Sequence, residues 1–211
     1  MVIIHNYYYI HGHHLLSIGK QKCFIFKDSR NIFFQKKTKI EFHKFQFTIQ
    51  SDCQYRVTKA VIDDADILLN FVNEMEKYYH DAPIFLKRDS FSRDEILNII
   101  QNEHAFLAWD GDYLIGVMSF STNQGFHYER LTSNQSGYIK GIGGYIKSEY
   151  RGQGIGSRLL QEMFNYCYEA GKPFIHVSFE SANPFANKFW PKYFKPVIRS
   201  IRRTINKDAN S

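Results

Sequence analysis

At 211 residues, 44% hydrophobic and 23% charged, the chain has the size and apolar content of one domain with a real core, which excludes an intrinsically disordered segment, a collagen-like repeat and a disulfide mini-scaffold. The net charge of +6 is unevenly placed: residues 1–54 hold eight Lys or Arg against three Asp or Glu, residues 55–211 nineteen against eighteen. A nearly neutral body lacks the basic face that phosphate-backbone recognition needs, so nucleic acid is disfavoured as a partner; Arg199, Arg202 and Arg203 are the one local basic cluster there.

Residues 1–54 read as an N-terminal extension of unassigned role. Ile40 and Phe42 flank Glu41, and Phe45, Phe47 and Ile49 alternate with Gln46 and Thr48, which predicts one or two short strands. His11, His13 and His14 have no carboxylate or cysteine at ligand spacing, so they read as polar extension, and no metal is expected. Cys23, Cys53 and Cys167 are odd in number and widely spaced, which points to reduced thiols and a cytoplasmic location. The start lacks both a signal-peptide pattern and the roughly 20 apolar residues of a membrane span, so no membrane association is expected.

From Tyr55 the pattern sharpens into a domain over 55–205, with a short tail at 206–211. Tyr55–Val61 predicts a strand, and Asp63 then stands as the cap of a helix carrying Ile67, Leu68, Phe71, Val72 and Met75 at helical spacing. Ser92 and Glu95 form a capping box for a second helix with Ile96, Ile99 and Ile100. Residues 105–120 read as a hairpin turning at Asp110-Gly111-Asp112, and Tyr138–Lys147 as a glycine-rich strand. A helix with Ile155, Leu159, Leu160, Met163 and Cys167 on one face follows and ends at Gly171, and Phe174–Phe179 is an apolar strand. Strand, glycine loop, helix and strand make a βαβ unit with a parallel strand pair. Asn183 caps a short helix with Pro184 at its first position, and Val197–Ile205 is a last strand.

The glycine loop carries the chemistry. Seven of the thirteen glycines fall between Gly137 and Gly156. A glycine-rich turn opening a helix aims backbone N–H groups and the positive dipole end at one spot, which suits a phosphate or pyrophosphate. A P-loop would need a Lys after the last glycine, and a dinucleotide fingerprint would need Gly-x-Gly-x-x-Gly early in the chain. Gly152-x-Gly154-x-Gly156 is neither.

The segment resembles the signature of the GNAT superfamily of acyl-CoA-dependent N-acyltransferases, in which Arg or Gln is followed after two residues by Gly, one residue, and Gly or Ala. Arg151, Gly154 and Gly156 fill that pattern, and Asn183, Ala186 and Phe189 match the family's Asn-x-x-Ala-x-x-apolar helix. The likeness spans roughly residues 55–205 in element order. It implies a mixed α/β fold: a mostly antiparallel twisted sheet with one parallel, splayed strand pair, flanked by helices. It also implies acetyl-CoA as co-substrate, a primary amine of a small molecule or protein as acceptor, and direct attack within a ternary complex. By position, Arg151, Gly152, Gln153, Gly154, Ile155, Gly156 and Ser157 form the pyrophosphate loop, Tyr145 and Ile146 hold the pantetheine arm and thioester through their backbone, and Asn183 and Trp190 border the cofactor. A homodimer is compatible with this reading, and the sequence leaves the oligomeric state open.

Acyl transfer to an amine needs a base for the ammonium, N–H donors for the oxyanion and, in many cases, an acid for the thiolate. Glu180, at the end of the strand before Asn183, is the first candidate for the base, with a surface Glu at a strand end as the equal alternative; His176 is the second, against a packing role. The family usually places a Tyr four residues after the helix alanine, and here that residue is Trp190, whose indole N–H is no proton source near neutral pH. Tyr193 then offers a hydroxyl three residues on. The same substitution keeps a non-catalytic acyl-CoA-binding module as the alternative function. The acceptor itself is expected to be set by the region between the first two helices, the 121–137 loop and the last strand.

Overall fold

The computed structural model describes residues 2–11, 49, 52–81, 84, 89–122, 136–172, 174–180 and 182–203. Eleven elements follow in chain order: β1 (Val2–His11), β2 (Arg56–Lys59), α1 (Ala65–His80), α2 (Arg93–Asn102), β3 (His104–Asp110), β4 (Tyr113–Ser121), β5 (Ser136–Ile146), α3 (Ile155–Glu169), β6 (Phe174–Glu180), α4 (Pro184–Phe189) and β7 (Lys195–Arg203). From β2 onward this is the order read from the sequence. No helix among the described residues is long and apolar enough to cross a membrane.

The strands form one sheet in the order β2-β3-β4-β5-β6-β1-β7. Neighbours are antiparallel except β5 and β6, the two ends of the βαβ unit, which pair in parallel. β1 is the addition that the sequence pattern does not signal. It lies between β6 and β7, with Tyr9 opposite His176 on one side and Tyr7 opposite Ile198 on the other. Of the strands expected between Ile40 and Ile49, only Ile49 is within the described residues, buried and outside any strand; His13, His14, Cys23 and Ile205 are outside them.

Helices pack on both faces of the central strands. Leu68, Val72 and Met75 of α1 and Ile96 and Ile99 of α2 pack on Leu107, Leu114, Val117 and Ile142. Ile155, Leu159, Leu160 and Met163 of α3 pack on Ala108, Ile115, Met118 and Phe120 from the other side. With both faces covered, β3 and β4 read as continuous apolar runs rather than alternating ones. Each fully buried Leu or Ile adds about 1.5–3 kcal/mol of transfer free energy, so these two layers fix the sheet between them. Ile67, expected in the α1 stripe, is 38% exposed, because it falls on the flank of that face.

Local signals explain most element ends. Ser92 Oγ accepts from the Glu95 N–H while the Glu95 carboxylate accepts from the Ser92 N–H, completing the capping box of α2. At the end of α3, Gly171 takes a φ of 67°, and the Lys172 N–H bonds back to the Cys167 carbonyl at 2.8 Å, a Schellman closure. The cap expected at Asp63 is different: a 3₁₀ turn over Ile62–Asp64 precedes α1, and Asp64 Oδ2 accepts from the Val61 N–H at 2.8 Å.

Candidate active site

β5 and β6 are in register only from Ser136 opposite Phe174 to Ile139 opposite Val177. Beyond that point the two strands part, and the opening leads into a cavity of about 1190 Å³. The cause lies in β5. Between Met118 and Phe120 of β4, the partner residue on β5 steps from Gly144 to Ile139, so residues 140–143 form a bulge. Gly141 and Gly143 there have φ of 66° and 78°, which disfavour any side chain. Ser119, fully buried, fills the bulge: its hydroxyl donates to the Lys140 carbonyl and accepts from the Gly143 N–H at 3.0 Å.

The bulge and the pairing beyond it decide which main-chain groups face the opening. The Lys147 N–H donates to the Ile115 carbonyl, so by antiparallel alternation the main chain of Tyr145 turns toward β4 and that of Gly144 and Ile146 toward the opening. The main chain of Ile146 thus faces the opening, where its carbonyl accepts from Arg151. Tyr145 contributes its ring, which packs at 5.6 Å on Phe71 of α1.

After Ile146 the chain turns through residues 148–154 into α3. Gly152 and Gly154 take φ of 83° and 77°, and Gly154 is the left-handed residue that caps the helix. The first turn of α3 contains no acid, whereas α1 carries one there and α2 two. Its leading N–H groups and positive dipole end are therefore not offset by an acidic side chain in that turn, an arrangement whose chemistry suits an anion. Gly156 serves a different end, since a Cβ at this position would lie 3.1 Å from the Phe189 ring. Two of the three loop glycines set the backbone, and the third lets α4 approach α3.

Arg151 is a contact residue of the loop rather than an extended cation. Its Nε donates to the Ile146 carbonyl at 3.0 Å, and its guanidinium lies 4.2 Å over the Phe185 ring of α4, 5.0 Å from that of Tyr78 and 5.6 Å from that of Tyr145. Gln153 is turned away; its side-chain oxygen accepts from the Tyr55 hydroxyl at 2.7 Å. Lys188 and Lys192 of the α4 region also border the cavity.

On α4, Asn183 caps the helix as expected, Oδ1 accepting from the N–H groups of Phe185 and Ala186, both at 3.1 Å. Trp190 is 6% exposed, with its ring over Gly144, where a Cβ would sit 3.6 Å away. It walls the opening instead of presenting a hydroxyl. Tyr193 does not border the cavity: its hydroxyl shares a 2.6 Å hydrogen bond with Ser157 Oγ in the first turn of α3. Glu180, the last residue of β6, borders the cavity. His176 stands opposite Tyr138 in the parallel register, and its side chain lies outside the described part of the structure.

Two groups bordering the same cavity carry no sequence signature. The Tyr78 hydroxyl of α1 donates across the cleft to Asn183 Oδ1 at 3.3 Å. Burial pushes its phenol pKa up, and Arg151 offsets part of that. Glu103, between α2 and β3, is 8% exposed and pairs with Lys140. Both residues come from elements far from the loop in sequence, and only the fold brings them to it.

The model of the acetyltransferase (GNAT) family matches residues 70–194 of the chain. No curated protein matches it significantly. Similar solved structures include YncA, a putative acetyltransferase from Salmonella typhimurium with its cofactor acetyl-CoA, at 17% identity and a TM-score of 0.52, over 66% of this chain and 78% of that one. An N-acetyltransferase from Staphylococcus aureus Mu50 is 16% identical with a TM-score of 0.51, over 66% and 82%. A functionally unknown conserved protein from Staphylococcus epidermidis ATCC 12228 is 9% identical with a TM-score of 0.54, over 95% and 60%.

Proposed function

Because the chain belongs to the acetyltransferase (GNAT) family, we propose that it transfers an acetyl group from acetyl-CoA to a primary amine of a small molecule or protein, by direct attack within a ternary complex. The observation that carries this reading is the junction of two features. A helix start with two positive-φ glycines and no first-turn acid opens onto the gap left where β5 and β6 part. A pyrophosphate suits the first feature and an extended amide-bearing arm the second.

When bound, acetyl-CoA supplies a thioester carbonyl as the electrophile. The first-turn N–H groups of α3 hold the pyrophosphate, with Gly152 and Gly154 keeping that surface free of side chains. The outward-turned main chain of Ile146 and Gly144 lines the arm, and Trp190 closes the opposite wall. Glu180 takes the proton that an ammonium near pKa ~10.4 must lose before it attacks. Tyr193 bonds Ser157 at the pyrophosphate end of α3. Among the tyrosines that border the cavity, Tyr78, hydrogen-bonded to the α4 cap Asn183, is assigned as the donor for the departing thiolate.

An assay of acetyl-CoA consumption across a panel of primary amines, read as release of free thiol, tests the proposal. Turnover with an amine and none without it is the expected result. Tight acetyl-CoA binding with no turnover on any amine would leave only the cofactor site standing.

A further inference from the structure

Arg151 occupies a position that the proposed cofactor needs. Its side chain runs from the end of β5, where Nε donates to the Ile146 carbonyl at 3.0 Å, to the start of α4, where the guanidinium lies 4.2 Å over the Phe185 ring. Tyr78 of α1 and Tyr145 of β5 complete the seat, with ring centroids at 5.0 and 5.6 Å. All five residues border the cavity, so the guanidinium bridges two sides of its opening. An amide-bearing arm laid along β5 in place of a neighbouring strand would call on the same Ile146 carbonyl.

A role in shaping the loop does not account for this seat. The turn is held by other bonds: the Tyr150 N–H to the Lys147 carbonyl at 3.0 Å, the Arg151 N–H to the Ser148 carbonyl at 3.3 Å, the Gln153 side-chain amide to the Glu149 carbonyl at 3.3 Å and the Tyr150 hydroxyl to Asp110 at 3.0 Å. Nor is the guanidinium anchored by charge, because no carboxylate among the described residues forms an ion pair with it. Its partners are a carbonyl and three rings, and Phe185 among them is 48% exposed. A guanidinium pairs with phosphate oxygens more strongly than with neutral groups, and it does so in bidentate geometry. The cap of α3, Gly154, lies only three residues further on, and there the leading N–H groups suit a pyrophosphate.

We infer that Arg151 bars the opening in the ligand-free protein and that a pyrophosphate at the start of α3 draws it aside, so that the complete cofactor is admitted in preference to a phosphate-free arm. The inference rests on the acetyl-transfer reading. An arm on its own has to displace the guanidinium, and its apparent affinity is scaled down by the fraction of molecules in which Arg151 already stands aside. With pyrophosphate present that fraction rises, and the two parts of the cofactor bind cooperatively through one side chain.

The experiment is a titration of reduced pantetheine, which carries the arm without phosphate, into the full chain with and without inorganic pyrophosphate, read by NMR shifts on wild type and Arg151→Met. Pyrophosphate is expected to tighten pantetheine binding by wild type about fivefold or more. Arg151→Met keeps an apolar stem and loses the donor; without pyrophosphate it should bind pantetheine several-fold more tightly than wild type, and pyrophosphate should add nothing further. A gain in affinity cannot come from misfolding. Equal pantetheine affinity of wild type with and without pyrophosphate overturns the inference, a result that needs no variant. A variant folded by its thermal melt that binds pantetheine no more tightly than wild type overturns it as well. A CoA titration of wild type separates the two levels: failure to bind CoA removes the acetyl-transfer reading and this inference with it, whereas CoA binding without the pyrophosphate effect on pantetheine removes this inference alone.

Discussion

Tyr193 and Ser157 share a hydrogen bond of 2.6 Å that ties the segment after α4 to the first turn of α3. The bond commits the Tyr193 hydroxyl to the first turn of α3, where Ser157 borders the cavity and Tyr193 itself does not. Tyr193→Phe is therefore expected to weaken acetyl-CoA binding by a small factor, within the range of one neutral hydrogen bond at about 0.5–1.5 kcal/mol, and to leave the pH–rate profile unchanged. Loss of the basic limb in that variant, measured as kcat against pH, would return Tyr193 to the role of proton donor.

Tyr78 gives the opposite pattern. With its hydroxyl 3.3 Å from Asn183 Oδ1 and its pKa raised first of all by burial, it stays protonated well above neutrality. Tyr78→Phe should lower kcat by about tenfold or more, modest for acid catalysis because a thiolate leaves readily, and shift the basic limb of the profile. Acetyl-CoA affinity, measured in parallel, should change far less than kcat.

For the base, Glu180→Gln removes a proton acceptor with little change of shape. Loss of about 10²-fold or more in kcat is expected, together with loss of the acidic limb of the profile. An unaltered limb would remove Glu180 from the reaction.

Gly154 caps α3 at φ 77°. Gly154→Asp forces a side chain into a conformation costing about 1–2 kcal/mol and sets a negative charge at the anion site. The dissociation constant of acetyl-CoA should rise by about tenfold or more from these two effects together, which isothermal titration would read directly.

Gly137 and Cys167 form a tight contact between β5 and α3: a Cβ at Gly137 would lie 2.7 Å from Cys167 Sγ. Gly137→Ala should cost about 1–3 kcal/mol by overpacking, and adding Cys167→Ala should recover part of it. Denaturant melts of the two single variants and the double one would show the coupling. Burial also pushes the Cys167 thiol up to about 12, so it should resist alkylation at pH 8 while the protein is folded. Peptide mapping after a pulse of iodoacetamide tests that directly.

His104 carries a pH signature of stability. Its pKa is held below the ordinary 6.5, first by burial and then by Lys59 nearby, and its ring lies 4.3 Å from that of Tyr166. The folded state thus prefers the neutral ring, while the unfolded chain protonates at the ordinary value. Above pH 6.5 the group has no effect; from there down to its lower folded pKa stability falls, and below that it levels off. His104→Phe should flatten this part of the curve, as read from denaturation midpoints between about pH 7 and 5.

The features legible in the sequence were the local ones. Arg151, Gly154 and Gly156 sit within six residues, the Ser92–Glu95 box within four, and Asn183 next to the helix it caps, so chain proximity is enough to define them. Glu103 and Tyr78 look like ordinary polar residues at helix ends, and only the bulge in β5 and the packing of α1 turn them toward the cleft. Gly141 and Gly143 read as part of a glycine-rich strand, yet they make a bulge whose partner, Ser119, lies on another strand. The placement of β1 between β6 and β7 depends on pairing among segments distant in the chain, for which the alternation of side chains gives no address.

Where β5 and β6 part, the sheet has an edge in its interior rather than at its rim. The main chain of Gly144 and the Ile146 N–H there are directed toward a missing neighbour, while Arg151 takes the Ile146 carbonyl, and such an open ladder is what promotes strand addition between molecules. The ligand-free protein is consequently the form most exposed to edge-to-edge association, and an amide-bearing arm laid along β5 would protect it against aggregation as well as prepare it for chemistry.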